Sequence, residues 1–299
     1  MSQAEATLSP LPAREYALRP PPRFSQRIGY FARHHPIGVL GIIIILLVVL
    51  TAIFAAQIAP YAPTSQKFRR LQPPSATNWL GTDDLGRDVF SRIVYGSRIS
   101  LQVGIIAVTL ALSIGVTLGV LSGYIGGAFD NTVMRVVDLM FAFPGLVLAI
   151  VIAGLLGPSI TNAMIAIGII YAPTYARVAR SSVLTVNNEL YLEAARLTGG
   201  GHLHIIRKHI LPNILAPLVI LTTLSMSTAI LTEAALSFLG LGTQPPDPSW
   251  GKMLSEGRRF MEIAWWTTVF PGVAIVIAVL GFNLLGDGLR DALDPRLKE

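Results

Sequence analysis

Residues 99–123 read ISLQVGIIAVTLALSIGVTLGVLSG, an apolar run without a single charged side chain. About 20 apolar residues in a helix cross the roughly 30 Å of hydrocarbon in a bilayer, so this run predicts a transmembrane helix. Gly115, Gly119 and Gly123 recur at every fourth position on one face of that helix. Small residues at this spacing let a second helix approach closely. The stripe favours packing within the chain over a contact between two copies.

The composition of the whole chain points the same way. Only 13% of the 299 residues are charged and the mean hydropathy is +0.59, whereas soluble domains carry about 25% charged residues. The absence of cysteine excludes disulfides, thiolate nucleophiles and cysteine-ligated metals. The net charge of +6 is spread between apolar segments. It therefore fits anionic lipid head groups rather than nucleic acid.

Charge-free windows mark the membrane spans, because a charge at the bilayer centre is costly. One window, 139–176, is too long for one helix, and Gly157-Pro158-Ser159 is a turn signal that divides it. The predicted spans are 37–59, 99–124, 137–156, 160–177, 213–241 and 266–287. They must be helices, since unpaired backbone groups cannot face lipid. The sequence thus predicts an all-α polytopic membrane protein with six transmembrane helices, several of them kinked by proline.

The spans divide the chain into regions. Residues 1–35 are predicted to form a largely disordered cytoplasmic tail that is not a signal peptide. Residues 36–98 hold the first span and an extracytoplasmic loop, residues 99–288 a five-helix core, and residues 289–299 a cytoplasmic tail. With both termini cytoplasmic, fourteen of the 23 Lys and Arg residues lie inside and nine outside. This bias agrees with the positive-inside rule.

A polar, glycine-broken segment interrupts this pattern: residues 193–213 read EAARLTGGGHLHIIRKHILPN. Glu193 is expected to start a helix that the three glycines from Gly199 onwards end. A second helix then resumes with amphipathic spacing at Leu203, Ile206 and Ile210. On the residues alone, this helix pair is either an interfacial anchor or an element that enters a groove on another protein.

The same segment resembles the cytoplasmic "EAA" loop of ABC-importer permease subunits. Glu193-Ala194-Ala195, the glycine six positions after the glutamate, and Leu211-Pro212 carry the resemblance. It implies a coupling-helix loop that docks into a cleft of a cytoplasmic ATPase. The residues concerned are Glu193, Ala194, Ala195, Arg196, Gly199, His209, Leu211 and Pro212. The general pattern has isoleucine where His209 stands, and the variant HILPN is similar to the dipeptide/oligopeptide/nickel branch.

Three further segments carry the same resemblance, in the same order around the spans. In residues 80–101, Asp83 or Asp84 is predicted to cap a surface helix whose apolar face is Val89, Phe90, Ile93 and Val94. In residues 236–254 three prolines predict an extended outer loop. Residues 282–299 form a glycine-flanked helix end. Together they resemble the "C" permeases of dipeptide, oligopeptide, nickel and glutathione importers, and imply a type I importer fold.

Glu233 is the one acid placed deep within a predicted span. An intramembrane ionisable group is a functional candidate by default, but structural pairing is favoured here over contact with a transported solute. It also supports the main alternative, an ion-coupled secondary transporter or channel. No paired catalytic residues lie within the spans, which argues against an enzyme. His202, His204 and His209 lack the spacing of a metal site.

The sequence contains no G-x-x-x-x-G-K-[ST] phosphate-binding loop. An ATP-driven function therefore requires other chains. The partners that the resemblance implies are a homologous second permease, two cytoplasmic ATPase subunits and an extracytoplasmic substrate-binding protein, all at the inner membrane. No cofactor is expected. Dipeptides or oligopeptides are the predicted solutes.

Overall fold

The computed structural model describes residues 33–293, and its regular secondary structure is helical throughout that range apart from one bridge between Thr82 and Asp88. The helices are α1 Pro36–Ile53, α2 Ala55–Ile58, α3 Val89–Ile125, α4 Gly127–Phe141, α5 Gly145–Leu156, α6 Ile160–Asn187, α7 Leu190–Leu197, α8 His202–Ile205, α9 Leu211–Phe238, α10 Trp250–Gly257 and α11 Trp266–Leu293. A π-helical turn, Ile206–Ile210, joins α8 to α9, and a 3-10 turn, Arg258–Phe260, follows α10. Most of the predicted N-terminal tail and residues 294–299 lie outside the described range.

By length and apolar composition alone, fewer helices qualify as membrane spans than the six predicted. Within residues 33–293, four stretches are long and apolar enough: α1, α3, α8 to α9, and α11. The pair α4–α5 adds a fifth if it counts as one span, but it is bent by 92°. The bend falls at Pro144, which disfavours helical backbone in the residue before it. Helix α6 has 28 residues, enough to cross a bilayer, but Asn162, Arg177 and Arg180 lower its mean hydropathy below that of these stretches.

The predicted third span, 137–156, is therefore not a single helix. Its second part, α5, has 12 residues and is about 18 Å long, too short to cross the bilayer alone. The predicted turn at Gly157 is present: its φ is +91°, and the Ser159 hydroxyl accepts the Thr161 N–H at 3.3 Å to start α6. The absence of charge shows which residues can lie in the bilayer, but it does not show where a helix bends.

The most extensive helix contact joins α3 to α6. The stripe Gly115, Gly119 and Gly123 faces α6 of the same chain. A Cβ atom added at Gly119 would lie 2.8 Å from Cβ of Ala179, and one at Gly115 would lie 2.5 Å from Cβ of Tyr175. Real Cβ atoms do not approach so closely, so only glycine allows the two backbones to come together here.

Two further contacts complete the bundle. Helix α1 packs on α11, where an added Cβ at Gly41 would lie 2.9 Å from the Gly281 carbonyl oxygen. Helix α9 packs against α3, α6 and α11. Prolines lie inside α6, α9 and α11 at Pro173, Pro217 and Pro271, as membrane helices tolerate.

The start of α3 corrects the predicted cap at Asp83 or Asp84. Asp88 is the N-cap, and its carboxylate accepts the Ser91 N–H at 2.8 Å. Asp83 instead accepts the Leu85 and Arg87 N–H groups, which holds the preceding turn. Because α3 runs unbroken from its cap to Ile125, the predicted surface helix is the first part of the second span and not a separate element.

We expect Gly119→Leu to destabilise the protein by the upper end of the about 1–3 kcal/mol typical of overpacking, because the added atoms meet backbone and Cβ atoms of α6. The measurement is the midpoint of thermal unfolding of the purified chain in detergent. Gly154→Leu is the control, since that glycine is exposed and a Cβ there meets nothing within 4 Å. Equal midpoints for the two variants would contradict the close α3–α6 contact.

Candidate functional site

The segment 190–213, which we call the coupling segment, begins with a helix that ends in a glycine-dependent turn. The Gly200 N–H donates to the Ala195 carbonyl and the Gly199 N–H to the Arg196 carbonyl, each at 3.0 Å. This pair of bonds is the Schellman motif, which needs a left-handed residue after the helix. Gly199 supplies it with a φ of +82°. The bend between α7 and α8 is therefore fixed by backbone hydrogen bonds.

Buried apolar side chains attach the coupling segment to the membrane bundle. Leu192, Ile205 and Ile210 are fully or almost fully buried and belong to the main core. Leu203, predicted to share the apolar face, is 62% exposed instead. The reason is the π-helical turn at 206–210, which changes the periodicity and turns Ile205 inward. The turn closes with the Leu211 N–H donating to the Ile206 carbonyl.

Polar contacts tie the same segment to the ends of three long helices. The Tyr124 hydroxyl at the end of α3 lies 2.8 Å from His202 Nδ1. The Asn213 side-chain amide at the start of α9 donates to the Tyr191 hydroxyl at 3.0 Å. The Arg196 guanidinium donates to the Asn187 side-chain oxygen at the end of α6.

The exposed surface of the coupling segment forms an open hollow of about 630 Å³. Its lining residues are Tyr191, Ala194, Ala195, Thr198, Gly199, Gly200, Gly201, His204 and His209. Two apolar side chains of the same segment are also exposed: Leu190 is 80% and Leu197 89% exposed. Small residues in the floor leave room for a side chain of another protein to enter.

The structure exposes only some of the loop residues that were predicted to contact an ATPase. Glu193, Ala194, Arg196, Gly199 and Pro212 are exposed, whereas Ala195, His209 and Leu211 are half-buried. Helix α7 starts after Glu189, so the predicted start at Glu193 is three residues late. Leu211 and Pro212 form the first turn of α9, where the missing proline N–H is not needed. Sequence reasoning missed Tyr191 and Asn213, whose pairing depends on how the loop folds back.

Comparison with known proteins identifies the family. A family model described as a binding-protein-dependent transport system inner membrane component matches residues 115–299, and one described as the N-terminal TM domain of oligopeptide transport permease C matches residues 27–74. The first match covers more than half of the chain. This chain belongs to the family of binding-protein-dependent transport system inner membrane components.

Curated relatives are similar over nearly their whole length. The dipeptide transport system permease protein DppC of Alkalihalophilus pseudofirmus is 50% identical over 89% of this chain and 88% of that protein. DppC of Escherichia coli K12 is 48% identical over 92% and 94%. The glutathione transport system permease protein GsiD of Pectobacterium atrosepticum is 44% identical over 98% of both chains.

A solved structure of the inward-facing MetNI methionine ABC transporter shares the fold. One of its chains superposes with a TM-score of 0.56 and 21% identity, over 68% of this permease and 97% of that chain. The all-α, type I importer fold predicted from the sequence is confirmed. The chain is an ABC-importer permease and an inner-membrane component of a transport system. The ion-coupled alternative based on Glu233 finds no support among the relatives.

Glu233 lies in a buried cluster of hydroxyl groups near the end of α9. It is 1% exposed. Its carboxylate accepts the Ser237 hydroxyl at 2.7 Å and the hydroxyls of Ser100 on α3 and Thr243 in the following loop at 3.4 and 3.5 Å. These contacts join α9 to α3 and to the loop before α10. Glu233 thus faces internal partners rather than lipid or an open path.

A second buried polar cluster, which we call the polar clasp (Asp83, Arg87, Arg92 and Glu256), joins the start of α3 to α10. Glu256 accepts from Arg87 and from Arg92, each at 3.0 Å, and Arg87 also pairs with Asp83. The two arginines are 4% and 1% exposed. Removal of one partner from a buried ion pair strongly destabilises a protein, because the other charge stays buried and unpaired. Trp250 strengthens the same junction, since its Nε1–H donates to the Ile93 carbonyl at 3.0 Å.

We expect Glu233→Gln to lower ATP-dependent solute uptake only modestly. The midpoint of thermal unfolding should stay almost unchanged, because the amide oxygen can still accept a hydrogen bond from the Ser237 hydroxyl. Glu233→Leu should lower the midpoint, since each buried hydroxyl left unpaired costs about 1–3 kcal/mol. The measurements are thermal unfolding in detergent and ATP-dependent uptake in vesicles. Complete loss of uptake by the glutamine variant, with normal assembly, would contradict a structural role for Glu233.

Proposed function

We propose that this permease forms half of the translocation path of an ATP-driven importer and that cytoplasmic ATPases drive it through the coupling segment. The observation that carries the proposal is the geometry of 190–213: an exposed, glycine-bent helix pair attached by buried side chains to the bundle. ATP hydrolysis belongs to separate chains, because this one has no phosphate-binding loop. Two ATPase subunits and a homologous second permease complete the transporter.

The mechanism we propose is a lever. Helix α6 ends at Asn187, directly before α7, and α9 starts directly after the π-helical turn. A displacement of the coupling segment therefore acts on α6 and α9 at once, since no flexible linker separates them. Closure of the ATPases would rock the two permease halves between outward and inward openings. Gly199 fixes the bend, and Ala194 and Ala195 allow close contact with the ATPase cleft.

Orientation follows from the same proposal. A segment gripped by ATPases is cytoplasmic, which places the N- and C-termini and the 289–299 tail on that side. The polar clasp and the loop 236–254 then lie outside, where a substrate-binding protein would dock. Residues 99–288 form the permease core, with residues 36–98 as the first span and its outer loop. The bilayer itself is the remaining partner.

The proposed solutes are dipeptides or oligopeptides. The relatives are named for transport of dipeptides, di/tripeptides and glutathione. These compounds share main-chain amide groups between charged ends. A path for this class needs hydrogen-bonding groups for amides without a strong preference for one side chain.

We expect Gly199→Val to abolish ATP-dependent uptake while leaving insertion into the membrane intact. A β-branched residue at a φ of +82° is a genuine backbone outlier, so the bend between α7 and α8 changes. A Cβ atom added there meets no neighbour within 4 Å, which leaves backbone strain as the cause. The measurement combines uptake in vesicles with recovery of P-loop ATPase chains by pull-down of the assembled importer.

Two variants serve as controls. Gly199→Asn should retain most uptake, since asparagine tolerates the left-handed conformation and is close to valine in size. Gly145→Val should also retain it, because Gly145 is exposed, lies outside the hollow and leaves open space for a Cβ atom. Normal uptake by Gly199→Val, or equal loss in all three variants, would contradict the role of the bend.

A further inference from the structure

A second open hollow, of about 440 Å³, lies between α3 and the first half of α9. Four of its ten lining residues carry hydroxyls, which we call the hydroxyl face: Ser113 and Thr117 on α3, and Thr222 and Thr223 on α9. The other six are leucine or valine. Leu211, the last part of the coupling segment, also lines the hollow. The hollow therefore begins where the coupling segment ends. No charged side chain is among the described residues that line it.

The exposed surfaces of other helices show how this protein meets lipid. On α1 the exposed positions from Ile37 to Leu50 are all isoleucine or leucine, and on α11 those from Val269 to Leu280 are all valine, isoleucine or leucine. On α3, by contrast, the exposed residues include Gln102, Thr109, Ser113 and Thr117 beside isoleucine and leucine. The face beside the hollow therefore differs in chemistry from the lipid-facing surfaces of the same chain.

The hydrogen bonds of the hydroxyl face leave both donors and acceptors available. Ser113, Thr117 and Thr223 donate to the carbonyl four residues earlier, at 2.7, 2.7 and 3.0 Å, so their oxygen lone pairs remain free to accept. The Thr222 hydroxyl accepts from Tyr175 at 3.3 Å, so its own hydrogen remains free to donate. An amide group presents one N–H and one carbonyl. The hydroxyl face can accept a hydrogen bond from the first and donate one to the second.

We infer that the hydroxyl face lines the translocation path and carries the solute by hydrogen bonds to its main-chain amide groups. The inference rests on the proposed function and adds the surface that the solute contacts. Neutral hydroxyls do not select for side-chain charge, so solutes with different side chains pass along the same groups. Because Leu211 belongs both to the coupling segment and to the hollow, movement of the segment also reshapes this part of the path.

Thiol labelling tests water access directly, since the chain contains no cysteine of its own. Thr117→Cys and Thr223→Cys are compared with Leu46→Cys on α1 and Val276→Cys on α11, each in the assembled importer in permeabilised membrane vesicles. The probe is a charged, membrane-impermeant maleimide. We expect the first two variants to react at least about tenfold faster than the lipid-facing pair. Equal slow rates would overturn the inference, whether lipid or the second permease covers the face.

Uptake tests the hydrogen bonds themselves. Thr222→Val and Thr223→Val each remove one hydroxyl with little change in shape, and we expect dipeptide uptake to fall about fivefold, as loss of one neutral hydrogen bond predicts. Thr51→Val is the control, because the Thr51 hydroxyl on α1 donates to the Leu47 carbonyl in the same way. Uptake equal to that of the control would overturn the role of the hydroxyls.

Failure of this inference is distinguishable from failure of the proposed function. If only the inference fails, the unaltered chain still recovers P-loop ATPases and supports ATP-dependent uptake, but the labelling contrast is absent. If the proposed function fails, the unaltered chain recovers no ATPase and supports no such uptake.

Discussion

The close approach of α3 to α6 is the contact on which the rest of the permease depends. Lipid tails are as apolar as leucine, so helices in a bilayer associate through packing and not through escape from water. The glycine stripe on α3 supplies that packing by bringing two backbones into contact. It also sets the position of the coupling segment, because α6 leads directly into that segment and Tyr124 at the end of α3 contacts His202 within it.

The two ends of the bundle are built from different chemistry. At the end that holds Glu233 and Glu256, buried carboxylates, guanidinium groups and hydroxyls join α3, α9 and α10. Such clusters are costly to break, because the partner left behind stays buried and unpaired. At the coupling segment, Leu190, Leu197 and Leu203 are exposed and offer an apolar surface to a partner. A protein that binds there can act on α6 and α9 while the polar clusters hold the helices together at the other end.

Much of this architecture could be predicted from the sequence, where the signal is local. The spacing of the three glycines predicts a close helix contact, Gly157 predicts a turn, and the polar segment 193–213 predicts a helix pair. What could not be predicted depends on three-dimensional proximity. Glu233 finds its hydroxyl partners on α3 and in a following loop, and Glu256 lies far along the chain from the arginines it binds.

Local competition explains the remaining errors. Three aspartates stand near the start of α3, and only hydrogen-bond geometry decides that Asp88 is the cap. A continuous apolar window hides the 92° bend before α5. The π-helical turn shifts the buried face of α8 away from Leu203. In each case the residue types were compatible with both arrangements, and packing selected one.

Site-specific photocrosslinking tests the central claim, that ATPase subunits bind the exposed surface of the coupling segment. A photoreactive amino acid replaces Leu197, which is 89% exposed, and in a control it replaces Leu155 at the end of α5, which is 84% exposed. After illumination of the assembled importer in its native membrane, the crosslinked partner of this chain is identified by mass spectrometry. The account predicts a P-loop ATPase crosslinked through position 197 and not through position 155. Crosslinks from position 197 to lipid alone, in a preparation that contains the ATPases, would contradict it.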